Sequence, residues 1–163
     1  MKRASWKYWI AAATALCLAT SFAVAAPKGK DPFAGTWQLD VAKSSWKGVP
    51  GFTAGKNVIT VNKGEFKVSS EITTADGKVI HSEYSGATDG NDIKMTGNPS
   101  VDSLTLLRPD KYTVIRTDRR GGKVVAIGTI TMEKDGKSYS GSYRGTSLDG
   151  HQYTSTAVWN RVK

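Results

Sequence analysis

The sequence predicts an all-β fold in which about eight to ten antiparallel strands close into an up-and-down β-barrel. Apolar and polar residues alternate with a period of two along most of the chain after residue 31, as in strands with one buried face. Glycine-containing turn signals separate the alternating runs, and no helical period interrupts them. Closure into a barrel is expected because a flat sheet of so many sequential strands would leave exposed edges.

Residues 1–25 are predicted to be a signal peptide. Lys2, Arg3 and Lys7 precede an apolar stretch, and Ala23-Val24-Ala25 supplies the small residues that signal peptidase requires. The apolar stretch is shorter than the roughly 20 residues of a transmembrane helix, although an uncleaved anchor is the alternative. We therefore expect cleavage near Ala25 and a periplasmic or secreted mature protein.

The mature chain is predicted to consist of an N-terminal linker, residues 26–34, and a barrel domain, residues 35–163. The single cysteine, Cys17, lies in the leader, so no disulfide-linked partner is expected. Removing the three positive charges of the leader from the net charge of +9 leaves +6 for the mature chain. An exported basic domain meets anionic envelope surfaces, so peripheral contact with such surfaces is one interpretation of this charge, and solubility is the favoured alternative. No nucleic-acid partner is expected.

Turn signals divide the barrel domain into strands. They are Lys63-Gly64, Ala75-Asp76-Gly77, Asp89-Gly90-Asn91, Pro109-Asp110, Gly121-Gly122, Asp135-Gly136 and Asp149-Gly150. The predicted strands are 35–41, 56–62, 65–74, 78–87, 91–96, 102–108, 111–118, 123–133, 137–146 and 151–161. Connections after the first are short, so consecutive strands should pair antiparallel. The alternative, a two-sheet sandwich, would need a long crossing connection.

Alternation along individual strands predicts which side chains face the barrel interior. In residues 65–74, Phe66 and its even-numbered neighbours form the more apolar face. The same argument places Tyr84, Tyr143, Tyr153 and Trp159 inside, separated by Ser, Gly and Ala. Aromatic residues among small ones could line a ligand cavity, but small residues also relieve curvature in solid barrels.

The predicted strand 111–118 allows two registers. In one, Tyr112, Val114 and Arg116 face inward, and the guanidinium would suit a carboxylate or phosphate head group. In the other, Ile115 faces inward and Arg116 lies in water. Both faces are half apolar, so the sequence alone leaves the two registers open.

The first predicted strand carries Gly35-Thr36-Trp37, which resembles the Gly-x-Trp motif of the calycins, the lipocalin and fatty-acid-binding-protein barrels. Longer segments resemble a widespread family of small exported bacterial lipocalin-like proteins: 33–44, Thr96-Gly97-Asn98-Pro99 and 138–146. This resemblance covers essentially the whole mature chain. It implies a barrel and brings no established substrate.

The resemblance also implies roles at the two ends of the barrel. In calycins the first-strand Trp commonly packs under a basic side chain of the last strand, which implies that Trp37 and Arg161 close the barrel. Fatty-acid-binding proteins carry a helical lid between their first two strands. Here the long connection predicted at 42–55 is interrupted by Gly and Pro, so a helix pair cannot fit. Trp46 and Phe52 in this connection are the candidates to plug or gate one end.

The residues give little support for catalysis. The histidines are His81 and His151, and His81 with Glu83 would supply only two metal ligands, fewer than the three protein ligands typical of catalytic zinc. The sequence contains no Gly-x-Ser-x-Gly nucleophile elbow. We therefore expect no catalytic residue, no metal and no cofactor.

The favoured function is an exported binding protein for a small apolar or amphipathic ligand, with an anionic head group if Arg116 faces inward. The alternatives are a solid-barrel envelope or protein-interaction module and, with less support, a calycin-type enzyme. The candidate cavity-lining residues are Phe66, Tyr84, Tyr112, Arg116, Tyr143, Tyr153 and Trp159.

Overall fold

The computed structural model describes residues 30–162, which form a closed barrel of ten antiparallel strands. The predicted signal peptide and its cleavage point lie outside the described residues. The strands are β1 (Gly35–Lys47), β2 (Phe52–Asn62), β3 (Glu65–Thr74), β4 (Val79–Ala87), β5 (Asp89–Thr96), β6 (Ser103–Asp110), β7 (Thr113–Arg120), β8 (Lys123–Met132), β9 (Ser138–Thr146) and β10 (Gln152–Arg161). The predicted fold class is confirmed. No helix among residues 30–162 is long and apolar enough to span a membrane.

Each strand pairs with its neighbours in sequence, and β10 pairs with β1 to close the barrel. We call the end that contains the start of β1 and the end of β10 the bottom, and the opposite end the top. The shortest seam joins β4 to β5, where the paired positions are Glu83 with Thr96 and Tyr84 with Met95. All other adjacent strands pair over longer stretches, so the wall is continuous.

Two hairpins show why their turn residues are needed. Lys63 and Gly64 have φ angles of 49° and 85°, and Gly121 and Gly122 have φ angles of 54° and 76°. Two successive positive φ angles define the type I′ turn, whose twist matches that of the flanking strands. Both turns were predicted from the sequence.

The connection predicted at 42–55 is wrong, because β1 continues to Lys47 and β2 begins at Phe52. A bulge between Asp40 and Ser45 bends β1 and keeps its second half paired with β10. The Ser44 hydroxyl holds this bulge: it donates to the Asp40 carbonyl at 2.7 Å and accepts from the Val158 N–H at 3.0 Å. The polar run in the sequence therefore marks a bulge, and the connection shrinks to residues 48–51.

Other boundaries also differ from the prediction. β6 continues through Pro109 and Asp110, which were predicted to form a turn, and the turn lies instead at residues 111–112. β5 begins at Asp89 because Asp89 to Asp92 form a bulge against β6 instead of a separate turn. β7 begins at Thr113, which leaves Tyr112 in the turn at the bottom of the barrel.

The predicted alternation appears directly in the burial of β3. Phe66 and Val68 are buried, whereas Lys67 and Ser69 are exposed. On β7 Val114 is buried and Ile115 is 36% exposed, so the inward register is the one that contains Arg116.

Candidate functional site

The barrel encloses a cavity of about 430 Å³, which we call the central cavity. This volume lies within the range of about 300 to 1,000 Å³ that is usual for small-molecule sites. Its aromatic lining includes Phe66, Tyr84, Tyr143, Tyr153 and Trp159. Tyr112 does not line it, because the turn places this residue at the bottom.

The bottom of the barrel is closed by Trp37 and Arg161. Trp37 has no exposed surface, and its indole N–H donates to the Phe33 carbonyl at 3.0 Å. The Arg161 guanidinium carbon lies 4.1 Å from the centre of the Trp37 ring. A Cβ at position 35 would lie 2.3 Å from Arg161 Nη1, so a side chain there would displace the guanidinium.

Every guanidinium nitrogen of Arg161 donates to a backbone carbonyl. Nε bonds to Gly136 at 2.7 Å, Nη1 to Ala34 at 2.9 Å and Nη2 to Pro32 at 2.7 Å. These bonds tie the segment before β1 to the β8–β9 turn. Arg161 therefore has no nitrogen left over for a ligand.

Arg108, which the sequence analysis did not single out, is a second arginine at the bottom. Its Nη1 and Nη2 donate to the two carboxylate oxygens of Asp31 at 2.6 and 3.3 Å. Nη2 also donates to the Lys111 carbonyl at 2.7 Å, and Nε to the Asp110 carbonyl at 3.3 Å. Its guanidinium carbon is 5.4 Å from the ring centre of Phe33. Arg108 therefore also helps to close the bottom of the barrel.

Arg116 lies in the wall of the central cavity and is bonded differently. Its Nε donates to Asp118 Oδ1 at 2.6 Å, and its Nη2 contacts the Met95 sulfur, a weak acceptor, at 3.7 Å. The guanidinium carbon lies 5.3 Å from the centre of the Tyr84 ring. The side chains of Arg116 and Asp118 are only 15% and 9% exposed. Among residues 30–162, they are the only charged residues in the lining of this cavity.

Arg116 Nη1, Asp118 Oδ2 and the Tyr143 hydroxyl are three polar atoms of this cluster that form no hydrogen bond within 3.5 Å with residues 30–162. The Tyr84 hydroxyl has none at that distance either, although hydrogen bonding to Arg116 lowers its pKa against the effect of burial. In the described part of the chain, no side-chain nitrogen or oxygen is both inaccessible and unpartnered. These three atoms are therefore accessible from the cavity and are not sealed in packed protein. They supply guanidinium donors, a carboxylate acceptor and a hydroxyl that can do either.

The protonation states of the cluster follow from burial and from the ion pair. Burial disfavours the charged form of Arg116, but the attraction of Asp118 and of the nearby tyrosines outweighs it and raises the pKa of Arg116. Burial raises the pKa of Tyr143 and of Tyr84, although Arg116 opposes that shift. At neutral pH the arginine is charged and both tyrosines keep their hydroxyl protons.

Glycines allow the aromatic rings to lie against the wall. A Cβ on Gly128 would lie 2.2 Å from the Tyr143 ring, and one on Gly141 would lie 2.9 Å from it. Gly55 makes room for Trp159 in the same way, at 2.8 Å. These glycines thus let large rings lie close to the backbone.

A second polar group inside the barrel is hydrogen-bonded within itself. The buried Asn57 amide donates to the Tyr139 hydroxyl at 2.7 Å and accepts from the Ser70 hydroxyl at 2.5 Å. The Tyr139 ring packs edge-on against Trp37 at 4.8 Å and stacks on Trp159 at 6.0 Å. The hydrogen bonds among Asn57, Ser70 and Tyr139 stabilise the lower wall of the barrel.

The top carries the two residues predicted to plug or gate an end. Trp46 and Phe52 pack edge to face, with ring centres 5.8 Å apart, and both line the cavity. Pro50 and Leu148 also line it and are exposed to solvent. The central cavity therefore reaches the surface at the top.

The outer surface has its own features. A polar depression of about 570 Å³ crosses β8, β9, β10 and the end of β1, and is lined largely by Ser and Thr. His81 lies 3.4 Å from Glu71, both exposed on the outer face of the barrel. The described residues contain no group of three side chains that could hold a metal ion.

Asp118 and Asn57 are the site residues that sequence reasoning missed. Asp118 follows Arg116 by two positions on one strand, so the period of two places both on the same face. That spacing was a usable signal once Arg116 was assigned inward. Asn57 carries no such signal, because its partners Ser70 and Tyr139 come from other strands.

No family profile and no curated protein matches the sequence significantly. Among solved structures, the chain is similar to zebrafish ileal bile acid-binding protein complexed with cholic acid, with 10% identity and a TM-score of 0.51 over 80% of this chain and 99% of that chain. It is also similar to the redesigned β-barrel mFAP1 bound to DFHBI, with 17% identity and a TM-score of 0.46 over 80% and 95% of the two chains. EF1p2_mFAP2b bound to DFHBI gives 15% identity and a TM-score of 0.49 over 80% and 94%. The similarity to the bile acid-binding protein concerns the fold alone, a closed antiparallel β-barrel.

Proposed function

We propose that the protein is an exported lipocalin-like binding protein that holds a small apolar or amphipathic ligand in its central cavity. The observation that carries this proposal is the buried Arg116–Asp118 pair, whose free polar atoms face a cavity of about 430 Å³. A buried ion pair is weak support for stability, since apolar residues of similar size often stabilise a fold as well or better. Convergent polar groups in a largely apolar cavity are typical of ligand sites.

The geometry suggests how such a ligand would lie. Its polar end would bond to the cluster around Arg116, and its apolar body would pack against Phe66, Tyr153 and Trp159. The bottom is sealed by Trp37 and Arg161, so the ligand would enter at the top past Trp46 and Phe52. In this proposal the Trp46–Phe52 pair acts as a gate.

Binding in the cavity is tested by titration with the neutral fluorescent probe N-phenyl-1-naphthylamine. We expect saturable binding of one probe per barrel. Ser155→Trp fills the cavity from β10 and should abolish binding, whereas Thr154→Trp adds the same ring to the outer face and should leave binding intact. Thermal unfolding of both variants checks that they fold. Equal binding by the two variants, or no saturable binding by the parent, contradicts the proposal.

Export is the second part of the proposal and rests on the sequence of residues 1–25. The basic start, the apolar stretch and Ala23-Val24-Ala25 predict that the mature protein begins near Ala26. Intact-mass measurement of protein from the cell envelope and the medium checks this and separates periplasmic from secreted material. A product that keeps Met1 to Ala25 in both fractions contradicts it.

A further inference from the structure

We propose that the central cavity selects an uncharged head group that both donates and accepts hydrogen bonds, such as a carboxamide or an alcohol, over a carboxylate. This inference rests on the proposed function, because it names the ligand chemistry of the same cavity.

The first step is the charge of the cavity. Arg116 and Asp118 are the charged residues of its lining, and they contact each other at 2.6 Å. Their charges cancel, so the cavity wall has no net positive charge to attract an anion. A carboxylate ligand would add a second negative charge beside Asp118, in a place where both side chains are largely shielded from water. Burying an uncompensated charge is costly.

The second step is the pattern of donors and acceptors. Arg116 Nη1 can only donate, Asp118 Oδ2 can only accept, and the Tyr143 hydroxyl can do either. A carboxamide matches this pattern because its oxygen can accept from the guanidinium while its NH₂ group donates to the carboxylate. A carboxylate offers acceptors alone, so Asp118 Oδ2 would stay unpaired and repel it. An ammonium head group would be repelled by Arg116 in the same way.

The third step is that the wall holds the pair in place. Asp118 lies opposite Leu104 on β6 and Ala126 on β8, and both of these residues are buried. Arg116 lies opposite Gly128, where the absence of a side chain admits the Tyr143 ring. These buried neighbours restrict the Asp118 side chain, so it cannot readily move away from the head group of a bound ligand.

The test uses decanoate, decanamide and decanol at pH 8, where the acid is ionised, each competing with N-phenyl-1-naphthylamine for the cavity. In the parent protein the amide and the alcohol should displace the probe at lower concentrations than decanoate. Any apolar cavity disfavours a carboxylate to some extent, so the decisive comparison is with Asp118→Asn, which leaves Arg116 without its counter-charge. In Asp118→Asn the affinity for decanoate relative to decanamide should rise about tenfold or more, the ratio that one charge-assisted hydrogen bond supplies.

Asp92→Asn is the matched control, because it removes a carboxylate from the exposed outer face and should leave the ratio unchanged. If Asp118→Asn folds poorly, Arg116→Gln with Asp118→Asn gives an uncharged cavity that should still bind decanamide and should not gain affinity for decanoate. A parent protein that prefers decanoate, or a ratio that Asp118→Asn does not change, overturns the head-group inference and leaves the proposed function standing. Failure of the parent to bind the probe and all three ligands overturns the proposed function itself.

Discussion

Arg161 at the bottom of the barrel and Arg116 in the cavity wall are both partly enclosed, but the fold uses their donors differently. All three nitrogens of Arg161 are bonded to backbone carbonyls, and its guanidinium covers Trp37. Arg116 has one strong hydrogen bond, to Asp118, and one weak contact, to Met95. A guanidinium whose three nitrogens each bond to the backbone closes the barrel, whereas one with an unbonded nitrogen beside a cavity is available to a ligand.

The two interior polar groups show the same division. Asn57, Ser70 and Tyr139 also line the cavity, but they hydrogen-bond to one another through the Asn57 amide nitrogen and oxygen. The cluster around Arg116 keeps atoms open to the cavity. In the proposed function, the bottom and lower wall supply stability and the middle wall supplies recognition.

The largest expected effect is at the bottom. Replacing Trp37 by Ala should lower the free energy of unfolding by about 3 to 5 kcal/mol, because a fully buried aromatic ring is lost. Trp46→Ala at the partly exposed top should cost less and should mainly speed ligand dissociation. Chemical denaturation of both variants measures the difference. A Trp37→Ala protein that melts within a degree or two of the parent would show that the bottom is not the anchor.

Breaking the ion pair in the wall should have the next largest effect. Arg116→Met leaves Asp118 without its partner and should cost about 3 kcal/mol, the lower end of the range for a broken buried pair, because the cluster is open on one side. Adding Asp118→Leu should restore most of that stability while removing the preference among head groups. A double-mutant cycle by denaturation measures both steps. If the double variant stays as unstable as Arg116→Met, the pair is structural, and the contrast with Arg161 fails.

Conservative changes at the two arginines should separate the two regions further. Arg161→Lys keeps the charge but cannot reach three carbonyls, so it should cost about 1 to 3 kcal/mol and leave probe affinity unchanged. Arg116→Lys should cost less stability and should change the ratio of decanamide to decanoate binding. Thermal melts and probe titration report the two properties separately. The same response in both variants would mean that the two arginines play one role.

The sequence predicted the fold because alternation and turns are local. Strands β3 to β10 begin and end within two residues of their predicted bounds. The cavity is lined by Phe66, Tyr84, Tyr143, Tyr153 and Trp159, which alternation places on inward faces. The end of β1 was mispredicted because its bulge depends on Ser44 contacting β10, more than a hundred residues away in sequence. Local patterning cannot report such a contact.

The candidate site was less predictable for a related reason. The inward face of β7 could not be chosen from the sequence because both faces are half apolar, and pairing with β6 and β8 decides it. Asp118 was therefore overlooked as the counter-charge of Arg116. Without Asp118, an inward Arg116 suggests an anionic ligand; with it, the cavity wall is neutral.

The most direct test of this account is an NMR spectrum of the arginine Nε–Hε groups recorded with and without saturating decanamide. The Arg116 resonance is identified by its absence from the spectrum of Arg116→Met. We predict that the Arg116 resonance shifts on ligand addition while those of Arg108 and Arg161 stay in place. An Arg116 resonance that does not move, or equal shifts of all three arginines, would contradict the claim that the cavity binds its ligand through the free donors of Arg116.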